Sequence, residues 1–244
     1  MQPSKYLLVW SDEFNYTGLP DSTKWRYNEG DGCPDLCGWG NNELQYYSIE
    51  NLNNCRVENG SLTIEAHKQN IANQFYTSAR LLSKGKASWK YGKIEIRAKI
   101  PIGLGLWPAF WMMPDDMYYG GWPKSGEIDI AENVGYMPDS LFGSVHTAKA
   151  HLSKGIQTKN LGTEFNLYAI EWNTEKIDFF FNNDKYATYK NNRRGSDYWP
   201  FDKNFHFIMN IAVGGNWGGK KGVDENVFPA KMLVDYVRVY QTAI

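Results

Sequence analysis

In WPKSGEIDIAENVG (residues 122–135), three carboxylates, Glu127, Asp129 and Glu132, interrupt an apolar run of Ile128, Ile130 and Ala131. Alternation of this kind marks a half-buried β-strand. Residues two apart share a face of a strand, so Glu127 and Asp129 point together while Ile128 and Ile130 point the other way. Glu132 lies an odd number of residues beyond Asp129, and an unbroken strand would send it to the apolar face. One extra residue in a β-bulge near Ala131 returns it to the side of the other two acids. The bulged segment then spans roughly 13 Å between the Cα atoms of the two glutamates. Inward-reaching side chains would bring the carboxyls to about 5–6 Å of each other. The segment therefore reads as one strand of a sheet with a buried face and an acid-lined face.

Outward from it, the same signature recurs. SLTIEA (61–66), KIEIRAKI (93–100), YAIEW (168–172), KIDFFFN (176–182), FHFIMNIAV (205–213) and MLVDYVRVY (232–240) alternate, or run β-branched and aromatic. Turn clusters separate them: Asn51–Asn54, NNDK (182–185) and GGNWGGKKG (214–222). DSTKW (21–25) can open a short helical turn capped by Asp21 or Ser22. No long amphipathic helix is legible. The pattern predicts an all-β protein of two packed antiparallel sheets. With no linker, composition break or repeat, residues 1–244 are expected to form a single domain.

Composition narrows the function classes. The 26 Lys and Arg balance 27 Asp and Glu for a net charge of −1, which argues against nucleic acid or an anionic membrane as the main partner. No run approaches the roughly 18 apolar residues of a membrane span. The opening MQPSKYLLVW is too short in its apolar stretch for a signal-peptide core. Either the chain is cytoplasmic or a leader has been removed and Met1 added; the second is expected. Aromatic residues make up 16% of the chain, including 10 Trp. They can fill the core or present flat faces to pyranose rings, and composition leaves both open. The three cysteines, Cys33, Cys37 and Cys55, cannot all pair within the chain. A bridge between Cys33 and Cys37 could clip the loop DGCPDLCGWG, with a free buried thiol as the alternative. Zinc is not expected, for want of a ligand set at suitable spacing.

Two carboxyls facing each other suit acid–base and nucleophilic work on a glycosidic bond. Asp129 between them can hydrogen-bond one glutamate and raise the proton affinity of the acid. A merely solvated acidic face would interleave Lys or Thr to relieve the repulsion. Calcium ligation is the better rival for such a cluster, but no EF-hand spacing is present.

EIDIAE matches the E-x-D-x-x-E signature of glycoside hydrolase family 16, and the chain resembles the laminarinase-like branch of that family. The lichenase branch, with E-x-D-x-E, lacks the bulge residue. WSDEFNYTGLPDSTKW (10–25), GWGNNELQYYS (38–48), the SARLLSKGK run (78–86), GLWPAFWMMP (105–114), FGSVHT (142–147), AVGGNWGG (212–219) and LVDYVRVY (233–240) are similar to that branch in the same order. The resemblance implies a β-jelly-roll sandwich whose concave sheet forms an open glycan cleft. It implies Glu127 as nucleophile, Glu132 as general acid/base and Asp129 as their helper. It places His146 beside the catalytic strand, Trp107, Trp111 and Trp122 in the cleft, and Trp217 in a loop near the donor sugars. Asn41 and Arg80 match residues that hold sugar hydroxyls. It also implies a structural calcium on the convex sheet, held by Glu13, the carbonyl of Gly60 and Asp235, with no cofactor for catalysis. The Cys33–Cys37 loop departs from the family pattern. The expected activity is retaining endo-hydrolysis of β-1,3-glucan, with mixed-linkage β-1,3-1,4-glucan as the near alternative. A non-catalytic glucan-binding module on the same fold is the alternative of another class. A polymer substrate implies a secreted protein, expected to act as a monomer.

Overall fold

The computed structural model describes residues 6–243. Met1, on which the expectation of a removed leader falls, lies outside the described residues. The chain runs β1 (Tyr6–Asp12), β2 (Arg26–Tyr27), β3 (Gln45–Tyr47), β4 (Cys55–Glu58), β5 (Ser61–Ile71), β6 (Gln74–Ser78), β7 (Arg80–Leu82), β8 (Gly92–Lys99) and β9 (Leu106–Pro114). It continues through β10 (Glu127–Glu132), β11 (Ser140–His146), β12 (His151–Gln157), β13 (Asn166–Trp172), β14 (Lys176–Phe181), β15 (Asp184–Lys190), β16 (Phe205–Val213) and β17 (Ala230–Thr242). Residues 21–25 form the expected turn: Asp21 accepts backbone bonds from Lys24 and Trp25, and its carboxylate caps the Thr23 N–H.

Two sheets face each other in a β-jelly-roll sandwich. The smaller has the order β12-β11-β10-β9-β16-β7-β2. The larger runs β15-β14-β13-β8-β17-β5-β6-β3, with β1 added on β17 and β4 on β5. Pairing is antiparallel except between β3 and β6. The space between the sheets is filled by alternate residues of each strand. Phe205, Phe207, Met209, Ile211 and Val213 of β16 meet Ile94 and Ile96 of β8 and Tyr168 and Ile170 of β13 in one core cluster.

The opposite face of β16, with His206, Ile208, Asn210 and Ala212, is also buried. That two-sided burial explains the unbroken apolar reading of this strand. β9 is hidden differently: its half-buried cleft face carries Trp107, Trp111 and Met113, so LWPAFWMMP has no alternation of polarity to read. β12 and β15 were missed for the opposite reason: they are the outermost strands of their sheets and carry mostly exposed or half-exposed side chains.

The predicted bulge is present in β10. Asp129 pairs with Trp111 and Ala131 with Phe110 on the β9 side, while Asp129 pairs with Ser144 and Glu132 with Phe142 on the β11 side. Ile130 and Ala131 are both buried in the core. Without the extra residue, Glu132 would enter that core unpaired, at a cost of several kcal/mol or more for a charged group. The apolar pair and the acid together hold the register. At the entry to the strand, Gly126 has φ +89° and lies against Pro200 and Phe201; a Cβ there would fall 2.8 Å from Pro200 Cγ.

Candidate active site

The concave face of the smaller sheet carries the acids in register with their neighbours. Glu127 stands opposite His146, Asp129 opposite Ser144 and Trp111, and Glu132 opposite Phe142 and Ala109. Glu127, Asp129 and Glu132 thus lie along one strip, as a single bulge dictates.

Each carboxyl has a different environment. Glu127 is half-buried and accepts a short hydrogen bond from the Trp122 indole. Glu132 is 8% exposed and accepts a 2.9 Å bond from Trp107 Nε1. Burial pushes the Glu132 carboxyl up to about 8; the Glu127 charge adds to this, and the bonds from Trp107 and Ser144 oppose it. Asp129 is 3% exposed. Burial first, then the charges of Glu127 and Glu132 and a hydrogen bond to Glu127, hold its carboxyl far above the usual range. His146 Nε2 stands 3.2 Å from Asp129 Oδ2, off the line of a hydrogen bond, and that buried oxygen has no hydrogen-bond partner. Burial, together with the neighbouring His151, lowers the His146 pKa, against the pull of the Glu127 charge. His146 thus contacts the middle acid, and its ring stacks on His151 at 4.4 Å.

The tryptophans divide by function of place. Trp25, Trp89, Trp172 and Trp199 are buried in the core. Trp107, Trp111, Trp122 and Trp217 are on or beside the acid strip. Trp217 meets Trp107 edge-on at 5.4 Å and Phe142 at 5.1 Å. Trp111 donates to Asn210 Oδ1 at 2.8 Å. The Arg80 guanidinium lies 4.6 Å from the ring of Trp111 and 4.8 Å from that of Trp39. Asn41 donates to Glu43, which also accepts from Gln45 and Tyr47. Tyr47 in turn accepts from Asn210, so the Asn41 loop is tied to the sheet beneath Trp111.

Sequence reasoning missed Trp39, Glu43, Tyr47, Ser144, His151 and Asn210. Four of these lie inside motifs already quoted: Trp39, Glu43 and Tyr47 in GWGNNELQYYS, and Ser144 in FGSVHT. Asn210, a lone amide in the apolar run FHFIMNIAV, was the one local signal on β16. Nothing in the local sequence around His151 announces it.

Cys33 and Cys37 form a disulfide, and Cys55 is a free buried thiol. The bridge closes the loop immediately before Trp39. On the larger sheet, Glu13 accepts two bonds from Arg238, and Asp235 pairs with Arg97. Gly60 occupies the turn between β4 and β5. Among the described residues, one group of titratable side chains has metal-ligand spacing: Glu127, Asp129 and His146.

A curved β-sandwich with two glutamates and an intervening aspartate on its concave face, flanked by indoles, defines a carbohydrate-cleaving protein of the two-carboxylate kind. The profile of Glycosyl hydrolases family 16 matches residues 42–238, and the chain belongs to that family. It is 51% identical over 247 residues to a β-glucanase from Rhodothermus marinus, covering 96% of this chain and 85% of that protein. The solved laminarinase from Rhodothermus marinus superposes with a TM-score of 0.95 at 48% identity, over 99% of each chain. A mutant of SCLam, a non-specific endo-β-1,3(4)-glucanase co-crystallised with 1,3-β-D-cellotriosyl-glucose, superposes with a TM-score of 0.92 at 42% identity, over 98% of this chain and 96% of that one.

Proposed function

We propose that this chain cleaves internal β-1,3-glucosidic bonds of laminarin-type glucan with retention of configuration. The observation that carries the reading is the bulge at Ile130–Ala131, which sets Glu132 on the same face as Glu127 and Asp129. In the first displacement the Glu127 carboxylate attacks the anomeric carbon. The glycosidic C–O bond breaks, and the leaving oxygen takes the proton of Glu132. In the second, water gives a proton to the Glu132 carboxylate and attacks the same carbon, releasing Glu127 and restoring the acid.

The electrostatics support this cycle. The Glu127 charge helps to raise the Glu132 pKa. Once Glu127 is esterified that charge is gone, the Glu132 pKa falls, and the group that was an acid becomes a base. Asp129 hydrogen-bonds Glu127 and fixes its rotamer. Trp107 and Trp122 orient the two glutamates, and Trp111, Trp217, Arg80 and Asn41 supply the sugar platform. His146 borders the reacting end.

Likeness to the Rhodothermus marinus laminarinase supports β-1,3-glucan as substrate, and likeness to the non-specific endo-β-1,3(4)-glucanase SCLam supports cleavage of mixed-linkage glucan as a second activity. Reducing-sugar assays on laminarin and barley glucan, run side by side, rank the two. Proton NMR of the first product on laminarin is expected to show the β-anomer; α-anomer first would overturn the double displacement.

Three further readings belong with this one. We propose that residues 1–244 act as one domain, that the chain is secreted and monomeric, and that it carries a structural calcium. Support for the ion comes from register: Asp12 pairs with Val237, and Leu62 with Val234, so Glu13, Gly60 and the bulged Asp235 converge along β17. Oxygen donors suit calcium, and both carboxylates would turn to it from Arg238 and Arg97. Calcium is expected to raise the melting temperature and chelator to lower it; equal melting curves in both would remove the ion.

A further inference from the structure

We propose that Glu127, Asp129 and His146 also form a binding site for a divalent transition-metal ion of zinc character, and that the bound ion blocks the cleft. The ligand atoms of the three side chains lie within 4.8 Å of one another. A tetrahedral zinc about 2.0–2.1 Å from each ligand places those ligands roughly 3.4 Å apart. His146 Nε2 and Asp129 Oδ2, at 3.2 Å, already stand at that spacing. The Glu127 carboxylate, within 4.8 Å of the other two ligand atoms, closes the set by a change of rotamer open to a half-buried glutamate.

A second observation points to a ligand. Asp129 Oδ2 belongs to a side chain 3% exposed, and it has no hydrogen-bond partner. A buried acceptor left in that state costs free energy. It is aimed at an imidazole nitrogen that is too far off line to donate to it. An ion between the two satisfies both at once. Neutral imidazole is a ready ligand, and the mixed nitrogen and oxygen set selects zinc-like ions over calcium or magnesium, which ask for six or more oxygens. Three protein ligands leave the fourth position to water, on the open side of the cleft. The stacked His151 ring at 4.4 Å limits how far His146 can swing away.

Binding replaces the hydrogen bond between Asp129 and Glu127 and draws Glu127 away from Trp122. The ion then occupies the place of the attacking carboxylate. The site itself rests on geometry alone; the loss of turnover that follows rests on the role proposed above for Glu127.

Equilibrium dialysis against Zn2+ alone, and titration with Co2+ followed by visible absorption, test the site without reference to activity. One ion per chain is expected, with tetrahedral-type Co2+ bands and release by chelator. Asp129→Asn and His146→Gln should each weaken binding by about tenfold or more. His67→Gln and His206→Gln should leave it unchanged. Binding that survives His146→Gln, or that disappears with His67→Gln or His206→Gln, would overturn the proposal, as would no binding to wild type. A competition between Zn2+ and laminari-oligosaccharide on the wild-type chain guards against misfolded variants. Mutual exclusion is expected, and simultaneous binding would sink the idea. If Zn2+ binds as predicted and hydrolysis continues undiminished, the role of Glu127 is at fault and the metal site stands.

Discussion

On the convex face of the larger sheet, buried carboxylates stand beside cations; on the concave face at β10 they stand beside one another. Glu65, Glu95 and Asp178 are 5%, 6% and 2% exposed, and Asp129 and Glu132 are 3% and 8% exposed. Burial is therefore the same in both places. Glu65 is paired with Arg56 and Lys231, Glu95 with Lys93, and Asp178 with Lys176 and Lys185. Burial acts on Asp178 too, but the bonds from Lys176 and Thr188 and the nearby ammonium charges outweigh it, and its pKa is lowered. Glu132 receives the Trp107 indole N–H and Asp129 lies beside the His146 imidazole instead, and both of their pKa values are raised. The partner, more than the depth, decides whether a buried acid is a structural anion or a proton carrier.

That contrast can be broken at several points. The largest effect is expected from Glu127→Ser, which removes the attacking group: kcat on laminarin should fall on the order of 10⁴-fold, while the melting temperature and oligosaccharide binding hold. Steady-state kinetics with calorimetric binding separate the two. Glu132→Gln should cost about 10²–10⁴-fold on glucan and much less on an aryl glycoside with a good leaving group.

The pH dependence of wild type should follow the same residue. With Glu132 raised to about 8 in the folded chain, activity needing the protonated acid declines as pH rises through that value. The unfolded chain binds fewer protons than the folded one between the ordinary glutamate range and pH 8. Stability from this group is thus full below that window and is lost as pH climbs through it. Glu132→Gln should therefore melt higher than wild type near pH 8 and no higher near pH 4.

Asp129→Asn keeps the shape of the protonated acid. Activity should fall by roughly 10- to 100-fold, in line with the loss of one hydrogen bond to a charged group, with no loss of melting temperature. The convex face should behave in reverse. Lys176→Met leaves kcat and KM unchanged but strips Asp178 of its nearest cation, costing about 1–3 kcal/mol. In a chain of this size that lowers the melting temperature by about 2–4 °C per kcal/mol. A Lys176→Met enzyme with altered kcat, or an Asp129→Asn enzyme that melts well below wild type, would erase the distinction.

The strand content and the catalytic strip were legible because both depend on local periodicity. The odd step from Asp129 to Glu132, with Ile130 and Ala131 apolar between them, demanded a bulge before any coordinate was known. A one-residue slip in a half-buried strand moves every side chain to the wrong face, so sequence strongly constrains register there. β16 is covered on both faces, which removes the alternation, and β9 lines the cleft with Trp and Met, so in both the strand shows in composition more than in period.

Other features were settled by the tertiary fold. The Asn41 loop meets the 214–219 loop through the Asn42–Asn216 bond, across 174 residues of chain. Arg80 is held between Trp39 and Trp111, which come from different parts of the sequence. His151 reaches His146 by the register of an edge strand. The order of residues determined which side chains share a face, because that is a property of one strand and its period of two. Which acids would meet a lysine and which only an indole was decided by the packing of strands far apart in the chain, and that packing shifted the proton affinity of Asp178 one way and those of Asp129 and Glu132 the other.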